Sequence, residues 1–182
     1  GIPVAKVTKD QRYSAKAVNF GIMYGLGPHG LSVSSGMDYG ASREFIQKYF
    51  QLRPQLKKYI DSLRKQAEEQ GYVETLLGRR RPTPDVKSSN FVVREAAYRA
   101  AINMPFQGTA ADLMKLAMVE IAKKLPADTH MLLQIHDSIL VEAPEKKSKA
   151  VGEMLQATME NIHKLPVKLK VDISTGKNWG EL

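Results

Sequence analysis

The sequence predicts a mixed α/β protein of the α+β type, in which helices come first and a small antiparallel sheet follows. Through the longer first part of the chain, apolar residues recur at helical spacing and are punctuated by glycine and proline. Later, two short apolar runs, Met131–Ile135 and Ile139–Val141, flank three polar residues, as in a β-hairpin. A helix and one strand complete the chain. This order is typical of a helical subdomain on a small antiparallel sheet.

The first part of the chain divides at its glycines and prolines, which end or begin helices. In chain order we expect a helix from near Lys9 to about Tyr24, a glycine-punctuated piece over residues 28–40, a helix from Ser42 to about Gln51, and a helix from Pro54 to Gly71. A small hairpin should follow around Gly78, with strands Tyr72–Leu77 and Arg79–Pro82.

The second part is predicted in the same way. Ser88 or Ser89 should cap a helix that runs through Asn103, and Pro105 should interrupt it because proline lacks the N–H that a helix uses. The remaining elements are a long helix to about Lys124, the hairpin already described, a helix over about Lys146–His163, and a final strand over about Val167–Ile173.

Composition narrows the class of protein. The 182 residues carry a net charge of +8 and are 43% hydrophobic, which is enough for a core. Cysteine is absent, which excludes a disulfide framework and a thiolate metal site. The basic balance favours a polyanionic partner, with nucleic acid the usual candidate. Without a bilayer-spanning apolar run or a signal peptide, we expect a soluble, cytoplasmic protein.

The segment 12–25 is the most informative stretch. Its side chains step by four residues, so on a helix they form one stripe of two cations and two aromatic rings: Arg12, Lys16, Phe20 and Tyr24. Cations suit phosphates and a flat ring suits a base or a sugar, so the stripe fits a nucleoside triphosphate. The alternative is an amphipathic helix with a solvated basic end and an aromatic core contact.

Two further segments could carry chemistry. Asp137, at the hairpin tip between His136 and Ser138, suits Mg²⁺, although two-metal phosphoryl transfer needs a second carboxylate. The alternative is an ordinary turn-forming aspartate. Arg99, Asn103 and Gln107 also step by four, and their donors and acceptors suit a DNA minor groove. A buried helix pair with polar residues at the Pro105 break remains the alternative there.

Together the three segments resemble, in order and spacing, the motifs of family A DNA polymerases, the bacterial DNA polymerase I type. The stripe from Arg12 resembles motif B of the fingers, the segment from Arg99 resembles the primer-template contact segment, and Gln134-Ile-His-Asp137 resembles motif C of the palm. The likeness extends over essentially the whole chain. It implies a helical fingers domain over residues 1–87 and part of an antiparallel palm over residues 88–182.

The resemblance also implies roles at the nucleotide. Arg12 and Lys16 would grip the phosphates of the incoming deoxynucleotide, and Lys16 would donate a proton to the departing pyrophosphate. Phe20 would lie against the sugar and base; family members with phenylalanine there generally disfavour dideoxynucleotides. Tyr24 would stack near the template base and help to exclude a ribose 2′-OH.

On the DNA side, the resemblance implies that Arg99, Asn103 and Gln107 contact the primer-template minor groove. His136 would lie by the primer-terminal phosphate, and Asp137 would ligate the catalytic Mg²⁺. The implied activity is template-directed DNA synthesis in replication or repair, with Mg²⁺ as cofactor and primer-template DNA and dNTPs as partners.

Two departures from the family pattern lead to further expectations. Ser138 stands where the family usually has glutamate, and should modulate metal affinity rather than abolish activity. Motif A, with its metal-binding aspartate, and the thumb are not recognised in the sequence, so a complementing polypeptide is expected to supply them. Two alternatives stay open: a fragment of a phage-type RNA polymerase, which also carries His-Asp-Ser, and a catalytically silent nucleic-acid-binding chain.

Overall fold

The computed structural model describes residues 2–182, apart from the side chain of Ser14; residue 1, which the sequence-based first domain includes, lies outside it. Six helices are described: α1 (Lys9–Met23), α2 (Pro28–Ser35), α3 (Tyr39–Gln51), α4 (Pro54–Gln70), α5 (Phe91–Lys124) and α6 (Ser148–Glu160). The strands form two antiparallel pairs: β1 (Tyr72–Glu74) with β2 (Arg80–Pro82), and β3 (His130–Ile135) with β4 (Ser138–Glu142). The predicted class, helices with small antiparallel sheets, is confirmed.

The chain forms two compact units that divide within α5, between Phe106 and Gln107. The first unit contains α1 to α4, the β1–β2 pair and the start of α5. The second contains the rest of α5, the β3–β4 hairpin and α6. The domains 1–87 and 88–182 are defined by motif instead, and their assignment to fingers and palm stays a prediction.

One core of the first unit joins α1, α2 and α3 through Ile22, Leu31 and Tyr49, which are all buried. Helix α1 begins at a capping box, in which Thr8 accepts from the Gln11 N–H and the Gln11 side chain accepts from the Thr8 N–H. These contacts fix both the start and the buried side of α1.

A second core of the same unit joins α4, β1 and α5. Its buried residues are Ala67, Val73, Val86, Tyr98, Ala101 and Met104. Strands β1 and β2 pair with Val73 opposite Arg81, and the turn between them contains Gly78 at φ 82°. That backbone conformation favours glycine, in agreement with the predicted turn. The predicted hairpin is confirmed, although both strands are shorter than the sequence predicts.

In the second unit, β3 and β4 pair up to Ile135 opposite Ser138, with a shift of register between Met131 and Leu133. The chain after α6 packs back on that helix without forming a strand. The Gln156 side-chain amide donates to the Val171 carbonyl at 2.7 Å, and the Val171 N–H donates to Glu160 Oε1 at 3.0 Å. The predicted strand over 167–173 is therefore wrong, because side chains of α6 bond its backbone.

Three other sequence-based expectations also differ from the structure. Pro105 does not interrupt the helix: α5 is continuous, because the burial of Ile102 and Met104 outweighs the lost backbone bond. Asn90, rather than Ser88 or Ser89, caps α5 by accepting from the N–H groups of residues 92 and 93.

Helix α3 begins before Ser42, because Asp38 caps it through a 2.9 Å bond from the Ala41 N–H. Ser42 itself is buried one turn inside the helix. Among residues 2–182, no helix combines the length and the apolar character that crossing a bilayer requires.

Candidate functional site

The exposed side of α1 carries the stripe that the sequence predicts. The rings of Phe20 and Tyr24 stack with centroids 6.1 Å apart and planes inclined by 17°. The ammonium group of Lys16 lies 5.8 Å from the centre of the Phe20 ring, and Arg12 is exposed one turn earlier. Helical spacing therefore produces a continuous row of two cations and two stacked rings at the surface.

Behind Tyr24 lie two aromatic rings that the sequence analysis does not single out. Phe106 on α5 meets Tyr24 edge to face, with centroids 6.4 Å apart. Tyr59 on α4 meets Phe106 in the same manner at 5.7 Å. The three rings lie far apart in sequence and follow no local spacing, so no sequence pattern could have linked them.

The end of α1 approaches α5 at a second point. Gly25 has a φ of 89°, and a Cβ atom at this position would lie 3.1 Å from Arg99 Cγ. Glycine is thus required both by the backbone conformation and by the closeness of the Arg99 side chain. The contact places Arg99 beside the end of the stripe, within the first unit.

Asn103 follows Arg99 by one helical turn in α5, and Gln107 follows Asn103 by another. The side-chain oxygen of Asn103 is buried and has no hydrogen-bond partner within the part of the chain that the structure describes. Gln107 is exposed and belongs to the second unit. A buried acceptor without a partner carries a desolvation cost.

The β3–β4 turn holds Asp137 at its tip. His136 adopts a φ of 53°, which is uncommon for a residue other than glycine. The turn is braced by the Gln134 side-chain amide, which donates to the His136 carbonyl at 2.7 Å, and by the Ser138 hydroxyl, which donates to the Ile135 carbonyl at 2.9 Å. The Asp137 side chain is exposed, so its carboxylate is available to a cation.

Comparison with known proteins shows the family to which this chain belongs. The family model for DNA polymerase family A matches residues 1–181. The chain belongs to DNA polymerase family A. The match favours a DNA polymerase over the phage-type RNA polymerase that the Ser138 departure left open.

Curated relatives within the family are similar over the whole chain. A thermostable DNA polymerase I of Thermus filiformis is 44% identical over 182 residues, which are 100% of this chain and 22% of that protein. DNA polymerase I of Deinococcus radiodurans is 47% identical over 180 residues, 98% of this chain and 19% of that protein. The chain thus spans about a fifth of the length of these family A relatives.

A solved structure agrees with these matches. The POL domain of Pol1 from M. smegmatis, in complex with DNA primer-template and dNTP, superposes with a TM-score of 0.92 at 35% identity. The superposition covers 98% of this chain and 32% of that chain.

The donor chemistry at Asp137 fits Mg²⁺, which prefers carboxylate oxygens. The number of donors is incomplete: among residues 2–182, no three His, Asp or Glu side chains converge as a metal site would require. At this turn, Asp137 is the exposed carboxylate that the sequence predicts as a metal ligand, and that role stays a prediction. Arg12 and Lys16 belong to the first unit and Asp137 to the second, and their cooperation at one family A active site stays a prediction.

Proposed function

We propose that this chain provides the nucleotide-binding and DNA-contacting part of an enzyme that transfers deoxynucleotides to a primer 3′ end under the direction of a template. The observation that carries the proposal is the row of exposed cations and stacked rings on α1, Arg12 to Tyr24. Family membership and a structural neighbour bound to DNA primer-template and dNTP support it.

At the nucleotide, Arg12 and Lys16 would hold the triphosphate. Among the described residues, neither cation has a carboxylate within ion-pair distance, so both charges are available to phosphate oxygens. Lys16 would also give a proton to the departing pyrophosphate, since an ammonium group next to a leaving group acts as a general acid. Phe20 and Tyr24 would bear on the sugar and base through their ring faces.

On the DNA side, Arg99, Asn103 and Gln107 would contact the primer-template minor groove. Purine N3 and pyrimidine O2 are acceptors there, and guanidinium and carboxamide groups can donate to them. The side-chain amide nitrogen of Asn103 would supply the donor, since its side-chain oxygen is enclosed by protein atoms. His136 would lie by the primer-terminal phosphate.

Asp137 would hold Mg²⁺ through its exposed carboxylate. When bound, the metal supplies positive charge that stabilises the phosphoryl-transfer transition state. The protein's contribution would be a braced turn that fixes the carboxylate. A second carboxylate would come from a complementing segment that carries motif A and the thumb. Ser138 would adjust metal affinity without adding charge.

The test is primer extension with Mg²⁺ and dNTPs, after mixing the chain with the part of the Thermus filiformis relative that precedes its matched region. Asp137→Ala should slow extension about a thousandfold or more, since a lost metal ligand costs several kcal/mol of transition-state stabilisation. Asp172→Ala removes another exposed carboxylate of the same unit and should leave the rate unchanged.

Two results would contradict the proposal in different ways. An unchanged rate for Asp137→Ala would remove the metal-ligand assignment. Primer-template binding with a steep salt dependence, but without extension by any mixture, would favour a catalytically silent binding chain. A preference for ribonucleotides over deoxynucleotides in the same assay would favour the alternative that the chain is part of a phage-type RNA polymerase.

A further inference from the structure

The aromatic rings around Tyr24 do not belong to either buried core of the first unit. The two clusters of buried residues contain neither Tyr24, Phe106 nor Tyr59. Tyr59 is 43% exposed, and Phe20, which stacks with Tyr24, is 40% exposed. A ring row at this degree of exposure adds little to the apolar core, so another explanation for its alignment is needed.

From this row we infer that Phe106 and Tyr59 are positioning residues, which hold the Tyr24 ring and thereby set how selectively the incoming nucleotide is accepted. The inference deepens the proposed function and rests on it. Phe106 acts directly on Tyr24, and Tyr59 acts through Phe106.

The backbone at Tyr24 fixes where its side chain starts, but not how its ring lies. Tyr24 is the C-cap of α1, with φ −93° and ψ 16°, and its N–H donates to the Phe20 carbonyl at 2.9 Å. Gly25 follows at φ 89°, and the Leu26 N–H closes the helix end with a 2.8 Å bond to the Gly21 carbonyl. The orientation of the Tyr24 ring then depends on its side-chain torsions, which contacts with neighbouring rings restrict.

The two ring contacts of Tyr24, with Phe20 and with Phe106, differ in kind. Phe20 lies parallel to Tyr24 on the same helix, so it moves together with α1. Phe106, on α5, meets Tyr24 with the two ring planes inclined by 65°. Tyr59, on α4, contacts Phe106 with ring planes inclined by 82°. Edge-to-face rings are directional, because a ring edge is electropositive and a ring face electronegative. Phe106 and Tyr59, here called the aromatic wall, thus restrain the Tyr24 ring from α5 and α4, two helices other than its own.

This wall bears on nucleotide selection because Tyr24 and Phe20 offer the faces on which a sugar and base would rest. A displacement of about 1 Å at a substrate-positioning group can change a rate about a hundredfold. Loss of the aromatic wall should lower the affinity for the correct nucleotide and the discrimination against a wrong one. The cations Arg12 and Lys16, which would bind the phosphates, should stay in place.

The experiment uses the full chain in the complemented extension assay, with kcat and KM measured for a dNTP and for the matching ribonucleotide. Phe106→Leu should raise the KM for the dNTP about tenfold, change kcat less, and reduce discrimination against the ribonucleotide. Tyr59→Leu should have the same effect in smaller measure. Phe106→Tyr keeps the ring, so its KM and its discrimination should equal those of the wild type.

Phe91→Leu is the matched control, because Phe91 lies on the same helix and is exposed without contact to Tyr24. It should leave KM and discrimination unchanged. Tyr24→Leu combined with Phe106→Leu should be no worse in KM than Tyr24→Leu alone, since both changes act on one ring. Additive effects on KM would overturn the inference.

A second measurement separates this inference from the proposed function. Should no mixture extend a primer, the unfolding equilibrium of the chain is measured for the two single variants and the double variant. Coupling of Tyr24 and Phe106 by a factor of about two to ten in the unfolding constant would support the positioning contact alone. Independent effects there would overturn it.

Discussion

The phenol of Tyr98 on α5 donates a hydrogen bond to the carboxylate of Glu68 on α4. The guanidinium of Arg64 lies 4.8 Å from the centre of the same ring and 3.5 Å from the Glu95 carboxylate. The bond to Glu68, which only the neutral phenol can donate, raises the pKa of Tyr98, and burial raises it further. Tyr98 therefore fastens the helix that carries Arg99 and Asn103 to α4.

Tyr98→Phe should lower the free energy of unfolding by about 1.5 kcal/mol at neutral pH, because it removes a hydrogen bond to a charged group. The pKa of Tyr98 is higher in the folded than in the unfolded chain, where it is 10.0. The stabilisation is hence fully present below pH 10 and declines as pH rises through the folded-state value. Urea unfolding of the wild type and of Tyr98→Phe, from neutral pH to above pH 10, measures the difference in their free energies of unfolding, which should become smaller as pH rises.

Tyr13→Phe is the control for this prediction, since Tyr13 is 76% exposed. It should change neither the stability nor its dependence on alkaline pH. An equal difference between the wild type and Tyr98→Phe at every pH would contradict the hydrogen bond to Glu68.

Gly25→Ala should destabilise the first unit by about 1–3 kcal/mol. A side chain in the left-handed region costs about 1–2 kcal/mol, and the new methyl group would press on Arg99 Cγ. Gly36 also has a positive φ but open space around it, so Gly36→Ala reports the backbone cost alone. Thermal or urea unfolding gives both values. If the two variants lose equal stability, the Arg99 side chain moves aside without cost, and its closeness does not restrict the residue at position 25.

The sequence predicts the local elements of this fold well, for physical reasons. Glycine at a left-handed turn, as at Gly78, and helical periodicity are properties of neighbouring residues. Continuity of α5 through Pro105 is not local, because burial of residues around the proline decides it. The irregular chain at 167–173 is the same case: its apolar pattern predicts a strand, but side chains of α6 bond its backbone.

The candidate site also has one part that local sequence predicts and one part that depends on packing between helices. Residues at four-residue spacing on α1 could be grouped from the sequence, and the structure places Lys16, Phe20 and Tyr24 in contact. The rings of Phe106 and Tyr59 could not be found in this way, since their contacts depend on how α4 and α5 pack.

Ser138→Glu should lower the Mg²⁺ concentration for half-maximal extension about threefold to tenfold in the complemented assay. A second carboxylate beside Asp137 adds a negative oxygen ligand, which a serine hydroxyl does not provide. Ser138→Ala should raise the Mg²⁺ requirement only about twofold, since a serine hydroxyl tunes metal affinity without adding charge. It should also cost about 1 kcal/mol of hairpin stability, through loss of the 2.9 Å bond to the Ile135 carbonyl. A large rise in the Mg²⁺ requirement of Ser138→Ala would instead make the hydroxyl part of the metal site.

Asn103→Ala should separate DNA binding from folding. The side-chain oxygen of Asn103 is buried and has no described partner, so its removal breaks no hydrogen bond and relieves a desolvation cost. We expect a stability change below about 1 kcal/mol, together with an affinity for primer-template about tenfold weaker, because a lost minor-groove contact costs about 1–3 kcal/mol. Fluorescence anisotropy at one fixed salt concentration measures the affinity, which salt would otherwise change.

Asn90→Ala provides the opposite pattern on the same helix. Its side chain caps α5 at 2.9 Å from the Val92 N–H, so the substitution should cost about 1 kcal/mol of stability and leave primer-template affinity unchanged. If Asn103→Ala instead loses stability and keeps its affinity, the Asn103 oxygen is satisfied within the folded chain. The proposed minor-groove contact would then have to be assigned to Arg99 and Gln107 alone.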